Sequence, residues 1–123
     1  MTIKQLQKIC HKIAKEKGFW DEENPNIAEK LMLIVSELGE ACEALREGKF
    51  QNLPYIDTLE KGAKLGKSRE ARIWEKDTFE DELADTIIRI CDLAEYMGID
   101  LEWHLKKKIA YNKKRPYKHN KKF

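Results

Sequence analysis

Two pairs of acidic side chains carry the spacing that chemistry on an ionic substrate would need. Glu37 and Glu40 stand three residues apart, and Glu82 and Asp85 repeat that spacing. On a helix, residues at i and i+3 share a face, so each pair can reach one point in space. At about 100° per residue, Glu37 projects with Lys30 into the sector of Leu33, Ala41 and Ala44, and Glu40 lies at its edge. A carboxylate and an ammonium among apolar side chains are costly unless something pairs with them. If the two helices pack antiparallel, four carboxylates converge, and they cannot all stay ionised without a counter-charge. Oxygen ligands on rigid helices suit a hard divalent cation, Mg²⁺ above all, with Mn²⁺ as a substitute. Either pair alone is a common product of charged helices. Two pairs, each opening a core-facing segment, are a stronger signal. Neighbouring Glu43, Glu47, Glu80 and Asp81 read as solvated face.

A complementary set stands near the C-terminus. Lys108, Asn112 and Arg115 follow one another at steps of four and three, so an ammonium, an amide and a guanidinium share a helix face. Donors of this kind suit phosphate oxygens. Lys106 and Lys107 fit an ordinary helix end, where the dipole favours cations. His119 lies in the basic, aromatic stretch beyond Arg115, which could fold over a triphosphate or bind nucleic acid. Trp20 sits in an expected turn, where it could stack on a base, whereas Trp74 and Trp103 read as core residues and His11 and His104 as surface or packing residues. No Gly-x-x-x-x-Gly-Lys phosphate loop occurs, no Glu-x-x-His pair, and no serine or cysteine nucleophile motif, so water is the expected attacker.

These residues need helices to position them. The pattern predicts a first helix from Thr2 to Lys17, with a Thr2/Gln5 capping box and an apolar face of Ile3, Leu6, Ile9, Cys10 and Ile13. A second runs from a cap at Asn26 to Glu47, stopping at Gly48. Its stripe is Leu31, Ile34, Val35, Leu38, Cys42 and Leu45, widened by Leu33, Ala41 and Ala44, which suggests packing on more than one side. A third starts at Asp77 or Thr78 and ends before Gly98. A fourth is capped by Asp100 and runs from Leu101 to about Lys114, before Pro116. Lys49 to Lys76 reads as an irregular insertion, with helical pattern only in patches such as Ile56–Leu65, that could serve as a lid. The expected fold is an all-α bundle of four main helices, two of them central and antiparallel, in one domain spanning residues 1–123.

Composition agrees. Charged residues make up 37% of the 123-residue chain against 3 Pro and 6 Gly, as in helical proteins. The net charge of +2 conceals an acidic body and a basic end, because all of the last twenty residues' charge is positive. Three cysteines without a close pair argue against a disulfide framework or zinc site, and each is expected to be a buried, reduced thiol. That fits a cytoplasmic protein with no signal peptide, no membrane partner and no membrane span.

Taken together, Ser-Glu37-Leu-Gly-Glu40-Ala-Cys-Glu-Ala-Leu, Asp-Glu82-Leu-Ala-Asp85-Thr-Ile-Ile, Met-Gly-Ile-Asp100-Leu-Glu and Lys108-Ile-Ala-Tyr-Asn112-Lys-Lys-Arg115-Pro resemble, in order, the MazG-like family of all-α nucleoside triphosphate pyrophosphohydrolases. The resemblance covers most of the chain from Lys30 onward. The gap between the acidic motifs, Lys49–Lys76, is longer than in compact members. The resemblance implies Mg²⁺ held by Glu37, Glu40, Glu82 and Asp85, phosphates near Lys108, Asn112 and Arg115, and assembly as a homodimer or as a homotetramer built from two dimers. It implies conversion of an NTP or dNTP to monophosphate and pyrophosphate, as housekeeping of the nucleotide pool. Glu37, deepest in the apolar arc, is the expected residue to orient or deprotonate water, with Lys108 and Arg115 stabilising phosphate charge. Lys30, Trp20 and His119 complete the expected substrate contacts. Two rival readings remain. One is a non-catalytic helical module that binds nucleic acid or nucleotide through its basic tail. The other is a structural or regulatory protein that keeps the fold without turnover.

Overall fold

A computed structural model describes residues 1–51 and 74–122, and these are all-helical, with no strand among them. The helices are α1 (Ile3–Glu16), α2 (Ile27–Glu47), α3 (Phe79–Tyr96) and α4 (Leu101–Lys113), followed by a 3₁₀ turn at Tyr117–Asn120. Of the insertion expected at Lys49–Lys76, residues 52–73, with the partial helix expected at Ile56–Leu65, lie outside the described residues.

Local chemistry sets the helix ends. The Thr2 side chain accepts from the Gln5 N–H at 3.1 Å while Gln5 Oε1 accepts from the Thr2 N–H at 2.8 Å, closing the expected capping box of α1. Asn26 caps α2 by accepting from the Glu29 N–H. Gly48 ends α2 in the left-handed region at φ 68°, which a residue with a Cβ adopts only with strain. The Thr78 hydroxyl accepts from the Asp81 N–H at the start of α3, and Asp100 caps α4 through the Trp103 N–H.

The chain divides into two compact units, Asn24–Arg89 and Met1–Glu23 with Ile90–Phe123, and α3 contributes to both. In the first, α2 and the opening turns of α3 run antiparallel. Glu37 meets Arg89, Glu40 meets Glu82, and Lys49 and Phe50 meet Phe79, so positions climb on one helix as they fall on the other. The contact sector of α2 is narrow: Glu37, Ala41 and Ala44 are buried. Small alanines allow the neighbouring helix close, and that approach covers this side. The heptad-spaced stripe expected to be core behaves differently. Leu31, Val35, Leu38 and Leu45 keep between 45% and 53% of their surface exposed, and Cys42 is exposed as well. Cys10 and Cys91 are the buried thiols, each with its pKa pushed up by burial.

In the second unit, α1 is held by polar contacts that its apolar stripe does not announce. Ile9 and Ile13 remain exposed, whereas Gln7 keeps only 2% of its surface. Its amide nitrogen donates to the Ile99 carbonyl at 2.8 Å, and its Oε1 accepts from the Leu101 N–H at 3.2 Å. One side chain thus satisfies a donor and an acceptor in the turn between α3 and α4. Beside it, Asp92 Oδ1 lies 2.8 Å from both His11 Nδ1 and Trp20 Nε1.

Gln7→Ala would remove both of these bonds in a buried site and leave the Leu101 N–H and the Ile99 carbonyl only the 3.1 Å bond they make to each other. The expected loss is about 1–3 kcal/mol, read as a lower urea midpoint at unchanged m-value, and Gln7→Glu is expected to lose part of that amount.

Candidate metal centre

The carboxylates of Glu37, Glu40 and Glu82 each offer an oxygen, and these oxygens lie within 4.8 Å of one another. Glu37 and Glu82 are 6% and 5% exposed, and Glu40 faces solvent. Two ionised carboxylates at that separation repel by roughly 3 kcal/mol at an effective dielectric constant of about 20. The group therefore depends on what stands against it. Arg89 Nε donates to Glu37 Oε1 at 2.5 Å. Burial alone would raise Glu37, but the Arg89 guanidinium, with hydrogen bonding to Glu40 and Glu82, holds it below the usual carboxylate range. Hydrogen bonding to Glu37 and its charge push Glu40 upward.

Glu82 carries the imbalance. Its Oε2 is buried with no hydrogen-bond donor in reach. The side chains set against it are other carboxyls, which can bond it only through a shared proton. Burial, then Glu40 and Glu37, push Glu82 from the ordinary 4.5 to about 7. An orphaned, buried carboxylate oxygen facing two more carboxylates is the donor set a hard divalent cation requires, so the residues present fit such an ion.

Asp85 lies outside the tight group but lines the same cleft, and burial followed by repulsion from Asp81 and Glu37 raises its pKa. The cleft has a volume of about 400 Å³, is open on one side, and is built wholly from the unit Asn24–Arg89. Lys30 is half-buried on α2, two turns before Glu37, and is not among the described residues that line it.

Five other candidates sit in the second unit. Lys108 and Asn112 lie on α4, with Arg115 just beyond. Lys108 Nζ and the Arg115 guanidinium carbon stand 4.8 and 5.5 Å from the Tyr111 ring centroid, so both cations are placed against one aromatic ring. His119 is in the 3₁₀ turn, where Lys118, His119 and Asn120 all take positive φ. The Trp20 ring stacks on Tyr96 at 4.0 Å between centroids and 13° between planes, a role in packing that its turn position did not suggest.

Sequence reasoning does not single out Arg89, although the signal is there: it stands four residues after Asp85 and seven after Glu82, on their face of α3. Lys49 and Lys76 also line the cleft, and no spacing links them, because they flank residues 52–73 from opposite sides. No family model, curated protein or solved structure matches this chain.

In cation-free protein, Glu82 keeps its proton to about pH 7 when folded and loses it near 4.5 when unfolded. Between those values the folded state binds the extra proton, so this group's contribution to stability falls as pH rises. Glu82→Gln is expected to melt close to the wild type at pH 5 with chelator present, and roughly 2–5 °C above it at pH 8. A Tm difference that does not change with pH would contradict the assignment.

Proposed function

We propose that this chain is a Mg²⁺-dependent nucleoside triphosphate pyrophosphohydrolase that converts an NTP or dNTP to its monophosphate and pyrophosphate. The observation that carries the reading is the buried, donorless Oε2 of Glu82 beside the Glu37 and Glu40 carboxylates, in a cleft large enough for a phosphate chain. The ordered resemblance to MazG-like enzymes supplies the reaction class.

Glu37, Glu40 and Glu82 would hold the cation, with Asp85 on the cleft wall. When bound, a divalent cation supplies positive charge to phosphate oxygens and makes nearby water easier to deprotonate. Arg89 fixes one oxygen of Glu37 and keeps the group ionised, which suits it to accept a hydrogen bond from water. Glu37 is then the group that would take the proton attacking water releases, while Glu40 completes the carboxylate set from its exposed position. Addition of water at the α-phosphorus, with cleavage of its bond to the bridging oxygen, leaves a monophosphate and a pyrophosphate.

A panel of common NTPs and dNTPs, with and without Mg²⁺ and with products separated, tests this. Mg²⁺-dependent monophosphate and pyrophosphate are expected, with kcat/KM lowered roughly 10²-fold or more by Glu82→Gln or Glu40→Gln. No turnover of any nucleotide by folded protein would overturn the reading. The exposed Trp103, Tyr111 and Tyr117 among the lysines of α4 and the following turn favour, as the second reading, nucleic-acid binding. Oligonucleotide affinity that falls steeply with salt and ignores Glu82→Gln would then replace the first.

The resemblance also implies a dimer or a dimer of dimers, and the exposed Leu31–Val35–Leu38–Cys42–Leu45 seam of α2 has the four-three spacing of helices that pair through one face. Sedimentation velocity is expected to give an oligomer for the wild type at micromolar concentration and a monomer for Leu38→Glu. A wild-type monomer would refute the assembly.

A further inference from the structure

Seven carboxylates line the cleft: Glu37, Glu40, Glu43, Glu47, Asp77, Glu82 and Asp85. A phosphate chain entering such a surface meets strong repulsion. Cations at the acidic centre answer part of it, but phosphate oxygens that point away from that centre need donors of their own. Among the described residues lining the cleft, the basic ones are Lys49 and Lys76. Every lining residue belongs to one unit, so these two ammonium groups are native to the cleft.

Their backbones are placed by contacts that also close the end of α2 and open α3. Lys49 follows the Gly48 cap directly, its N–H donates to the Ala44 carbonyl, and its own carbonyl accepts from the Phe79 N–H, both at 2.9 Å. The Gln51 N–H donates to Glu80 Oε2 at 3.0 Å, and Gln51 Oε1 accepts from the Glu75 N–H at 3.2 Å. The Asp77 N–H donates to Asp81 Oδ2, and Trp74 Nε1 donates to Asp81 Oδ1. The two chain segments that flank residues 52–73 are thereby tied to each other and to the first turn of α3. That fixes the stems of Lys49 and Lys76 at the cleft while their side chains are 58% and 72% exposed. Each ammonium rests on a carboxylate outside the Glu37–Glu40–Glu82 group: Lys49 Nζ on Glu47 at 2.7 Å, and Lys76 Nζ at 2.6 Å on Asp77, whose carboxylate with that of Asp81 also comes within 4.8 Å of Glu82. Exposed pairs of this kind are weak and exchange readily for a better anion. Lys76 also feels Asp81 and Glu82, and Asp85 feels Lys76, so this ammonium stands within electrostatic reach of the acidic centre.

We propose that Lys49 and Lys76 are the phosphate clamp of this cleft, two ammonium groups that leave Glu47 and Asp77 to bind the diphosphate portion of the substrate chain. The inference rests on the proposed function for the presence of a phosphate chain in the cleft, and it assigns the binding role to residues on either side of residues 52–73 rather than to Lys108 and Arg115.

The test is calorimetric titration of the full chain with imidodiphosphate, a non-hydrolysable diphosphate, in the presence of Mg²⁺. Mn²⁺ binding followed by electron paramagnetic resonance runs in parallel. The variant Lys49→Ala/Lys76→Ala is expected to bind imidodiphosphate at least about tenfold more weakly while binding Mn²⁺ as tightly as the wild type or more tightly. Lys49→Arg/Lys76→Arg should keep most of the affinity. Lys12→Ala/Lys15→Ala on α1 removes the same net charge elsewhere and should change affinity by no more than about twofold. An unchanged affinity in the double alanine variant, an equal loss in the α1 control, or no binding by the wild type would each overturn the clamp. Nucleotide turnover with an unaffected double variant would remove the clamp and leave the hydrolase reading standing. Lysine-dependent imidodiphosphate binding without any nucleotide turnover would do the reverse.

Discussion

Like charge held at short range on facing helices is the constraint around which the unit Asn24–Arg89 is arranged. Glu37, Glu40 and Glu82 offer oxygens within 4.8 Å of one another, and two of the three side chains are almost wholly buried. Water screens the two buried carboxylates poorly, so the protein must either leave a proton in the group or set a cation against it. It does both. Arg89 neutralises Glu37, while Glu82 retains its proton to near neutrality. The arrangement is costly for stability and is the kind of local conflict that functional sites retain.

The packing of α2 follows from that group. Burying Glu37 against Arg89 turns the Ala41 and Ala44 side of the helix toward α3. Two alanines permit a close approach that larger side chains would block. The leucine and valine seam is then left facing outward, an apolar face better suited to a partner helix than to water. Polar contacts organise the other unit to a similar degree. Gln7 bonds the turn between α3 and α4, and Asp92 gathers His11 and Trp20.

Short-range rules were enough to locate every described helix. Thr2, Asn26, Gly48 and Asp100 act through hydrogen bonds or backbone angles spanning a few residues, and such effects survive in any tertiary setting. The paired spacing of Glu37 with Glu40 was legible for the same reason. The seam of α2 was misleading as a guide to this chain's own core, because apolar periodicity shows that a face is to be covered without saying by what. Gln7 was invisible, since nothing local distinguishes a buried glutamine from an exposed one.

What the sequence by itself determined is therefore the set of helices, their ends, and the faces on which carboxylates accumulate, all consequences of interactions within about one helical turn. Tertiary structure decided which of those faces meet. Antiparallel pairing of α2 with α3 brought Glu82 to Glu40 and Arg89 to Glu37, and it left Asp85 on the cleft wall rather than in the tight group. It also brought Lys49 and Lys76 to one cleft from opposite sides of residues 52–73. Pairings across such separations are set by which surfaces can bury each other, a property of the assembled helices that no spacing along the chain encodes.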